Sequence, residues 1–193
     1  KNEEKMRMKR LKKYGWTGML SLALLLGQPG AKDALAETAE NCFEGEQQVL
    51  FERLDEERRE KYFDLHPDWE EGEEEDTSGR SASFLVKEDL NRIAASRLAA
   101  AMENGYSDGK IPGQGDLSEY LSSVSYRPHA TCLELYLRRC EDGEEAWEKA
   151  AEWLERNYDK AEDRKYTLEY YRYIGMNAEE RDGKTYFMVL LLR

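Results

Sequence analysis

A carboxylate and a histidine lie near each other in the sequence and could form a general base with its partner. Glu134 falls in a segment in which three leucines alternate with other residues: Leu133, Leu135 and Leu137 against Cys132, Glu134 and Tyr136. As a strand, this segment puts Glu134 on the face opposite the leucines, and His129 precedes it in the chain. A general base needs a nucleophile or a metal within hydrogen-bond reach, and no recognisable nucleophile motif occurs. Glu134 is therefore either a solvated surface group, which the pattern favours, or a site residue.

The cysteines do not indicate a structural zinc site. There are three, Cys42, Cys132 and Cys140, and no Cys-x-x-Cys pair occurs among them. At least one has no partner within the chain. Cys132 and Cys140 could form a disulfide only if the chain turns between them, because a strand of that length spans about 26 Å and a helix about 12 Å.

Two further segments have a composition that could bind ions. The glycines of segment 106–115 lack the preceding strand and following lysine of a phosphate-binding loop, so this segment is predicted to be an ordinary loop. Segment 68–83 is rich in Glu and Asp and poor in apolar residues, and is predicted to be a solvated acidic loop. It lacks the alternating ligand pattern of a known calcium loop.

The C-terminal segment predicts the element around which the chain folds. Residues 170–192 indicate two strands joined at Asp182 and Gly183, whose types suit the positive φ angles of a short turn. The second strand is apolar without alternation from Tyr186 to Leu192, so it needs cover on both faces. We therefore expect one sheet with helices on both sides.

Four segments show the spacing or capping residues of these covering helices. They are Glu46–Leu65, Val86–Glu103, a short one capped by Asp116 and Glu119, and Gly143–Tyr158. The second carries Arg97 among its apolar positions, and the last carries Trp147 and Trp153 on its apolar side.

Charge is distributed unevenly along the 193 residues. The chain has a net charge of −12, and residues 1–36 contain eight Lys or Arg and three Asp or Glu, so residues 37–193 are strongly acidic. Such a body repels phosphate backbones and anionic membranes, which argues against nucleic acid as a partner. The length suits one globular domain.

The basic start is typical of a secretory signal peptide at residues 1–36. A charged region precedes the apolar run Trp16–Leu26 and a small-residue cleavage pattern at Ala34-Leu35-Ala36. The alternative is a membrane anchor, although the run is about half the length of a spanning helix. The expected organisation is thus a signal peptide, a linker at 37–45, and a domain at 46–193 with its acidic loop. The expected location is secreted or on the cell surface, with membrane contact only through an uncleaved signal segment.

The order of these elements resembles the CAP superfamily, which includes cysteine-rich secretory proteins, antigen 5, pathogenesis-related plant proteins and bacterial SCP-like members. The matching features are the 85–90 segment running into the alanine-rich helix with Arg97, then Glu134, Trp153, and Tyr173-Ile174-Gly175 followed by a Gly-Lys-Thr-Tyr strand. The similarity covers roughly residues 46–192. It implies an α/β fold, a three-layer α-β-α sandwich with a mainly antiparallel central sheet.

The departures from the family pattern concern its cleft. Many members have two His and two Glu there, and some bind zinc. Here the first His position falls near Ser107 or Asp108 and the second near Asp159, and the histidines of the chain, His66 and His129, lie elsewhere. The candidate cleft residues are Glu134, His129, Asp108 and Asp159. We predict no metal or other cofactor, and any metal bound there should be weak and closer to calcium or magnesium in character.

Three functions are compatible with this pattern. The first is a CAP-like domain that binds an unknown protein or small-molecule ligand without catalysis. The second is a hydrolase with Glu134 as general base and His129 or Asp108 nearby. The third is a carrier of a small apolar ligand, which the resemblance allows but no residue specifies.

Overall fold

The computed structural model describes residues 43–65 and 81–193, which belong to one compact unit. The helices are α1 (Glu46–Leu65), α2 (Glu88–Asn104), α3 (Leu117–Ser123) and α4 (Gly143–Ala161). The strands are β1 (Leu85–Val86), β2 (Cys132–Cys140), β3 (Tyr173–Arg181) and β4 (Lys184–Leu192). The predicted signal peptide, most of the linker, His66 and the acidic loop up to residue 80 lie outside the described residues.

The predicted α/β class is confirmed. The strands form one mixed sheet in the order β1-β3-β4-β2, in which β1 pairs with β3 in parallel and β4 pairs with β3 and β2 antiparallel. β4 thus has a strand on either side. In the described part of the chain, β2 has a neighbour on one side only and forms an edge of the sheet.

The unbroken apolar run of β4 is explained by cover on both faces. Phe187, Val189 and Leu191 belong to a core cluster that includes residues of α1 and α4, while Met188, Leu190 and Leu192 belong to a second cluster with α2 and α3. All six side chains are buried. Because successive side chains of a strand point to opposite faces, each face of β4 is apolar, as the sequence predicts.

The hairpin requires glycine at Gly183, in its turn, and at Gly175, in β3. Asp182 and Gly183 have φ angles of 55° and 67°, so the predicted turn is present where expected. At Gly175 an added Cβ would lie 2.6 Å from the backbone carbon of Leu90. α2 therefore approaches β3 more closely than a side chain at this position would allow.

Arg58, in α1, is buried on the α1 side of the sheet. Its guanidinium donates to the carbonyls of Tyr171, Ser81 and Ala82, and lies 4.9 Å from the Phe84 ring centroid. Burial lowers its pKa to about 10, and the nearby Asp55 acts in the opposite direction. This single side chain joins α1 to the segment that precedes β1 and to the start of β3.

The structure adds elements that the sequence did not indicate. The parallel strand β1 includes Val86, which the helical pattern had assigned to α2, and α2 begins at Glu88. A short 3-10 helix, Leu168–Tyr170, replaces the predicted start of the first hairpin strand, so β3 begins at Tyr173. Phe43, in the predicted linker, is buried and packs 5.2 Å from the Phe51 ring.

Candidate functional site

The candidate site is a groove along the free edge of β2, here called the β2 groove. It has a volume of about 1150 Å³ and is lined by every residue from Cys132 to Arg138. One wall is formed by the loop before α3 and by its first residues, including Tyr106, Asp108 and Asp116. The other wall is formed by α4 and the 3-10 helix Arg164–Tyr166. Because successive residues of β2 face opposite sides of the sheet, the groove follows the backbone edge of the strand.

Glu134 is the third residue of β2 and forms a buried ion pair with Arg97 of α2. The two side chains are 5% and 0% exposed. Arg97 Nε donates to Glu134 Oε2 at 2.5 Å, and Arg97 Nη2 donates to Oε1 at 2.8 Å. Both carboxylate oxygens are therefore held by one planar guanidinium in the bidentate geometry that makes such pairs strong.

The same pair holds the loop that forms one wall of the groove. Arg97 lies 3.3 Å from the carbonyl oxygen of Gly115 through Nη2, and its guanidinium carbon is 5.3 Å from the centroid of the Tyr120 ring. The Tyr106 side chain lies close enough to Glu134 to respond to its charge. Burial raises the pKa of Tyr106, and the negative charge of Glu134 raises it further. Tyr106 therefore stays neutral beside the carboxylate.

These contacts define what Glu134 can do chemically. A general base must have a lone pair directed at the proton that it removes. In Glu134 both oxygens instead accept hydrogen bonds from Arg97, and the positive charge of Arg97 offsets the charge of the carboxylate. The preference for a solvated surface position is wrong, because the side chain is almost fully buried. Glu134 instead joins α2, the wall loop and β2.

The four candidate cleft residues do not all meet. Glu134 and Asp108 both line the β2 groove. His129 is exposed in the loop before β2 with a φ angle of 69°, and Asp159 is exposed near the end of α4. Neither His129 nor Asp159 lines the groove. Asp108 is exposed on its wall and is the partner of the Ser107 hydroxyl at 3.4 Å.

The two described cysteines are free and too far apart in the strand to bridge. Cys132 and Cys140 begin and end β2, so the turn that a disulfide between them would need is missing. Burial raises the pKa of Cys132 to about 11, and burial also raises that of Cys140. Both therefore remain thiols at neutral pH and are poor nucleophiles.

The described residues contain neither a metal-binding group of side chains nor a membrane-spanning helix. Within residues 43–65 and 81–193, no group of three or more His, Cys, Asp or Glu side chains is arranged so that it could hold a metal ion. No helix in these same ranges has both the length and the apolar character to cross a bilayer.

Arg97 was not predicted from the sequence as the partner of Glu134, although the positions of the two charges indicated a pair. Arg97 occupies an apolar position in the spacing of α2, where a cation must find a buried partner or leave the core. Glu134 is a carboxylate in an otherwise apolar strand pattern. Two opposite charges at inward positions of neighbouring elements predict an ion pair. The sequence pattern does not show, however, which helix covers which face of the sheet.

Comparison of the chain with protein-family models, curated proteins and solved structures found no match. The CAP resemblance therefore remains a hypothesis that depends on the motifs and on their order.

Proposed function

We propose that this chain is a secreted or cell-surface CAP-like domain that binds a ligand or protein partner in the β2 groove without catalytic turnover. The proposal includes the finer architecture, a three-layer α-β-α sandwich with a mainly antiparallel central sheet. Two core clusters that share β4 support that architecture. The proposed location depends on the charge and apolar pattern of residues 1–36.

One observation carries the non-catalytic part of the proposal. The carboxylate that would act as base in a hydrolase is hydrogen-bonded through both of its oxygens to Arg97. Releasing it would leave Arg97 as an unpaired charge in the core, which costs about 3–5 kcal/mol. A catalytic cycle that had to break this pair would therefore begin with a large energetic penalty.

The groove itself supports the binding part of the proposal. It is concave, it follows a strand edge, and its walls present charged side chains that include Asp108, Lys149 and Arg156. Such walls suit a polar or peptide-like ligand. A carrier of a small apolar ligand would instead need a cavity lined mainly by apolar side chains.

The test is a zinc titration of the full chain by calorimetry, with Glu134→Gln as the variant and Glu103→Gln, an exposed position in α2, as the matched control. We expect no submicromolar zinc site in any of the three proteins. Zinc binding below micromolar that disappears in Glu134→Gln and persists in Glu103→Gln would contradict the proposal. It would show that the carboxylate leaves Arg97 to become a ligand.

A further inference from the structure

We propose that the occupant of the β2 groove is an extended peptide segment of a partner protein, which adds to β2 as a further strand of the sheet. The acidic side chains of the peptide lie against the α4 wall. This inference depends on the proposed binding function and specifies the ligand of the same site.

The first observation is the direction of the backbone groups of β2. The Arg193 amide donates to the carbonyl of Thr131 at 3.0 Å, which makes that pair a hydrogen-bonded one. Hydrogen-bonded and non-bonded pairs alternate along an antiparallel ladder, so Leu133, Leu135 and Leu137 bond to β4. The N–H and C=O groups of Cys132, Glu134 and Tyr136 therefore point away from β4 into the groove.

The second observation is that these outward groups are left open in the first half of the strand and are protected near its C-terminal end. The register of β2 shifts between Leu137 and Cys140, and Lys149 Nζ donates to the carbonyls of Arg138 and Arg139. Bulges and lysines are the usual protection of sheet edges. From Cys132 to Tyr136, no side chain of the described residues donates to or accepts from the outward backbone.

The third observation is the charge of the two walls. The α4 wall carries Lys149, Arg156 and Lys165, whereas the opposite wall carries Asp108 and Asp116. Each of the three cations has one solvent-accessible acidic partner: Glu145 at 3.0 Å from Lys149, Glu152 at 3.6 Å from Arg156, and Asp163 at 3.2 Å from Lys165. Exposed pairs of this kind are weak and can exchange one partner for another. Alternate residues of a strand face opposite walls, so a peptide with acidic residues at every second position complements the α4 wall.

The same charges disfavour a second copy of this chain as the occupant. Two β2 edges can pair antiparallel only about a two-fold axis perpendicular to the sheet, which places like faces side by side. Each α4 wall would then meet another α4 wall with the same cations and the same paired acids, so a second copy would not place a row of unpaired acidic side chains against these cations.

The probe is a fluorescently labelled peptide, Lys-Glu-Val-Glu-Val-Glu-Lys, titrated with the full chain and followed by fluorescence anisotropy. We expect saturable binding. A peptide of the same composition, Glu-Glu-Lys-Val-Glu-Val-Lys, places acidic residues on both faces and should bind at least about tenfold more weakly. One further peptide is N-methylated at both valines, and another at the first and third glutamates. Each modification removes N–H donors along one of the two edges of the bound strand. Because only one edge of the peptide pairs with β2, one of these two peptides must lose binding.

The protein variants test the charged wall. Arg156→Glu combined with Lys165→Glu should weaken binding at least about tenfold, whereas Lys160→Glu, an exposed change on α4 outside the groove, should leave it within about twofold. Both variants change surface positions, and circular dichroism checks that they fold.

Three results would overturn the inference. They are no saturable binding at millimolar peptide, equal binding of both N-methylated peptides, and a concentration-dependent dimer in sedimentation that competes with the peptide. The zinc titration judges the proposed function separately, so strand addition can fail while a non-catalytic groove remains.

Discussion

The central strand β4 and the edge strand β2 have the same length and similar apolar content, but they are stabilised in different ways. β4 is paired on both sides and buried on both faces, so its environment is set entirely by apolar packing. Among the described strands, β2 is paired on one side, and one of its faces carries the Glu134–Arg97 ion pair. A charged contact thus helps to fix the position of this strand.

The largest effect should come from a charge placed in β4, because this strand is stabilised by apolar packing. Val189→Asp puts a carboxylate at a position with no exposure and no cation beside it, so the cost of desolvation is several kcal/mol and the domain should unfold. The measurement is thermal unfolding by circular dichroism. Val124→Asp is the control, because Val124 is 47% exposed. A Val189→Asp protein that melts within a degree or two of wild type would show that β4 is not the centre of the fold.

In β2 a large effect should come from removing half of the ion pair. Glu134→Leu leaves Arg97 buried and unpaired, so the free energy of unfolding should fall by about 3–5 kcal/mol. Adding Arg97→Met should recover much of this loss, because the double variant has no buried charge. Urea unfolding of both single variants and the double variant measures the coupling. Additive effects would mean that the two side chains do not depend on each other.

A smaller effect should appear at alkaline pH, because the Glu134 carboxylate of β2 acts on the partly buried Tyr106 beside it. The pKa of Tyr106 is raised above its unfolded value near 10, so its contribution to stability is complete below that pH and is lost as pH rises through the folded pKa. The lowered pKa of Arg58 acts in the opposite direction, because the strain of burying its charge is relieved above about pH 10.

Tyr106→Phe separates the two contributions. At pH 9 the variant should be less stable than wild type by about 1 kcal/mol, because it lacks the hydroxyl that lies beside the buried carboxylate. The difference should shrink as pH rises above 10, because only wild type loses the tyrosine contribution. Urea unfolding at pH 9 and at pH 11 measures it, and a difference that grows with pH would rule out the assigned sign.

The sequence predicted β4 better than β2, for a physical reason. Cover on both faces follows from an apolar run alone, since burial depends on the type of each residue. The alternation in β2 also predicted which side chains share a face. It could not show that β2 lies at an edge, because strand order depends on contacts between distant parts of the chain.

The candidate site shows the same division. Glu134 and Asp108 line one groove, whereas His129 and Asp159 lie outside it. Asp108 and Asp159 were candidates because the family's histidine positions fall there, and His129 because it is close to Glu134 in the sequence. Arg97 was assigned to an apolar face and not to the site. The spacing of residues along the chain predicts which face of a helix or strand a side chain lies on. Which side chain it contacts depends on how the helices pack on the sheet.

The most direct test of the central claim, that β2 has an open edge, is residue-resolved hydrogen exchange of the full chain by NMR. The amides of β4 from Phe187 to Leu191 should all exchange slowly, as should those of Leu133, Leu135 and Leu137, which bond to β4. The amides of Glu134 and Tyr136, which point into the groove, should exchange orders of magnitude faster. Protection of these two amides equal to that of their leucine neighbours would contradict the account, because the edge would then already be covered.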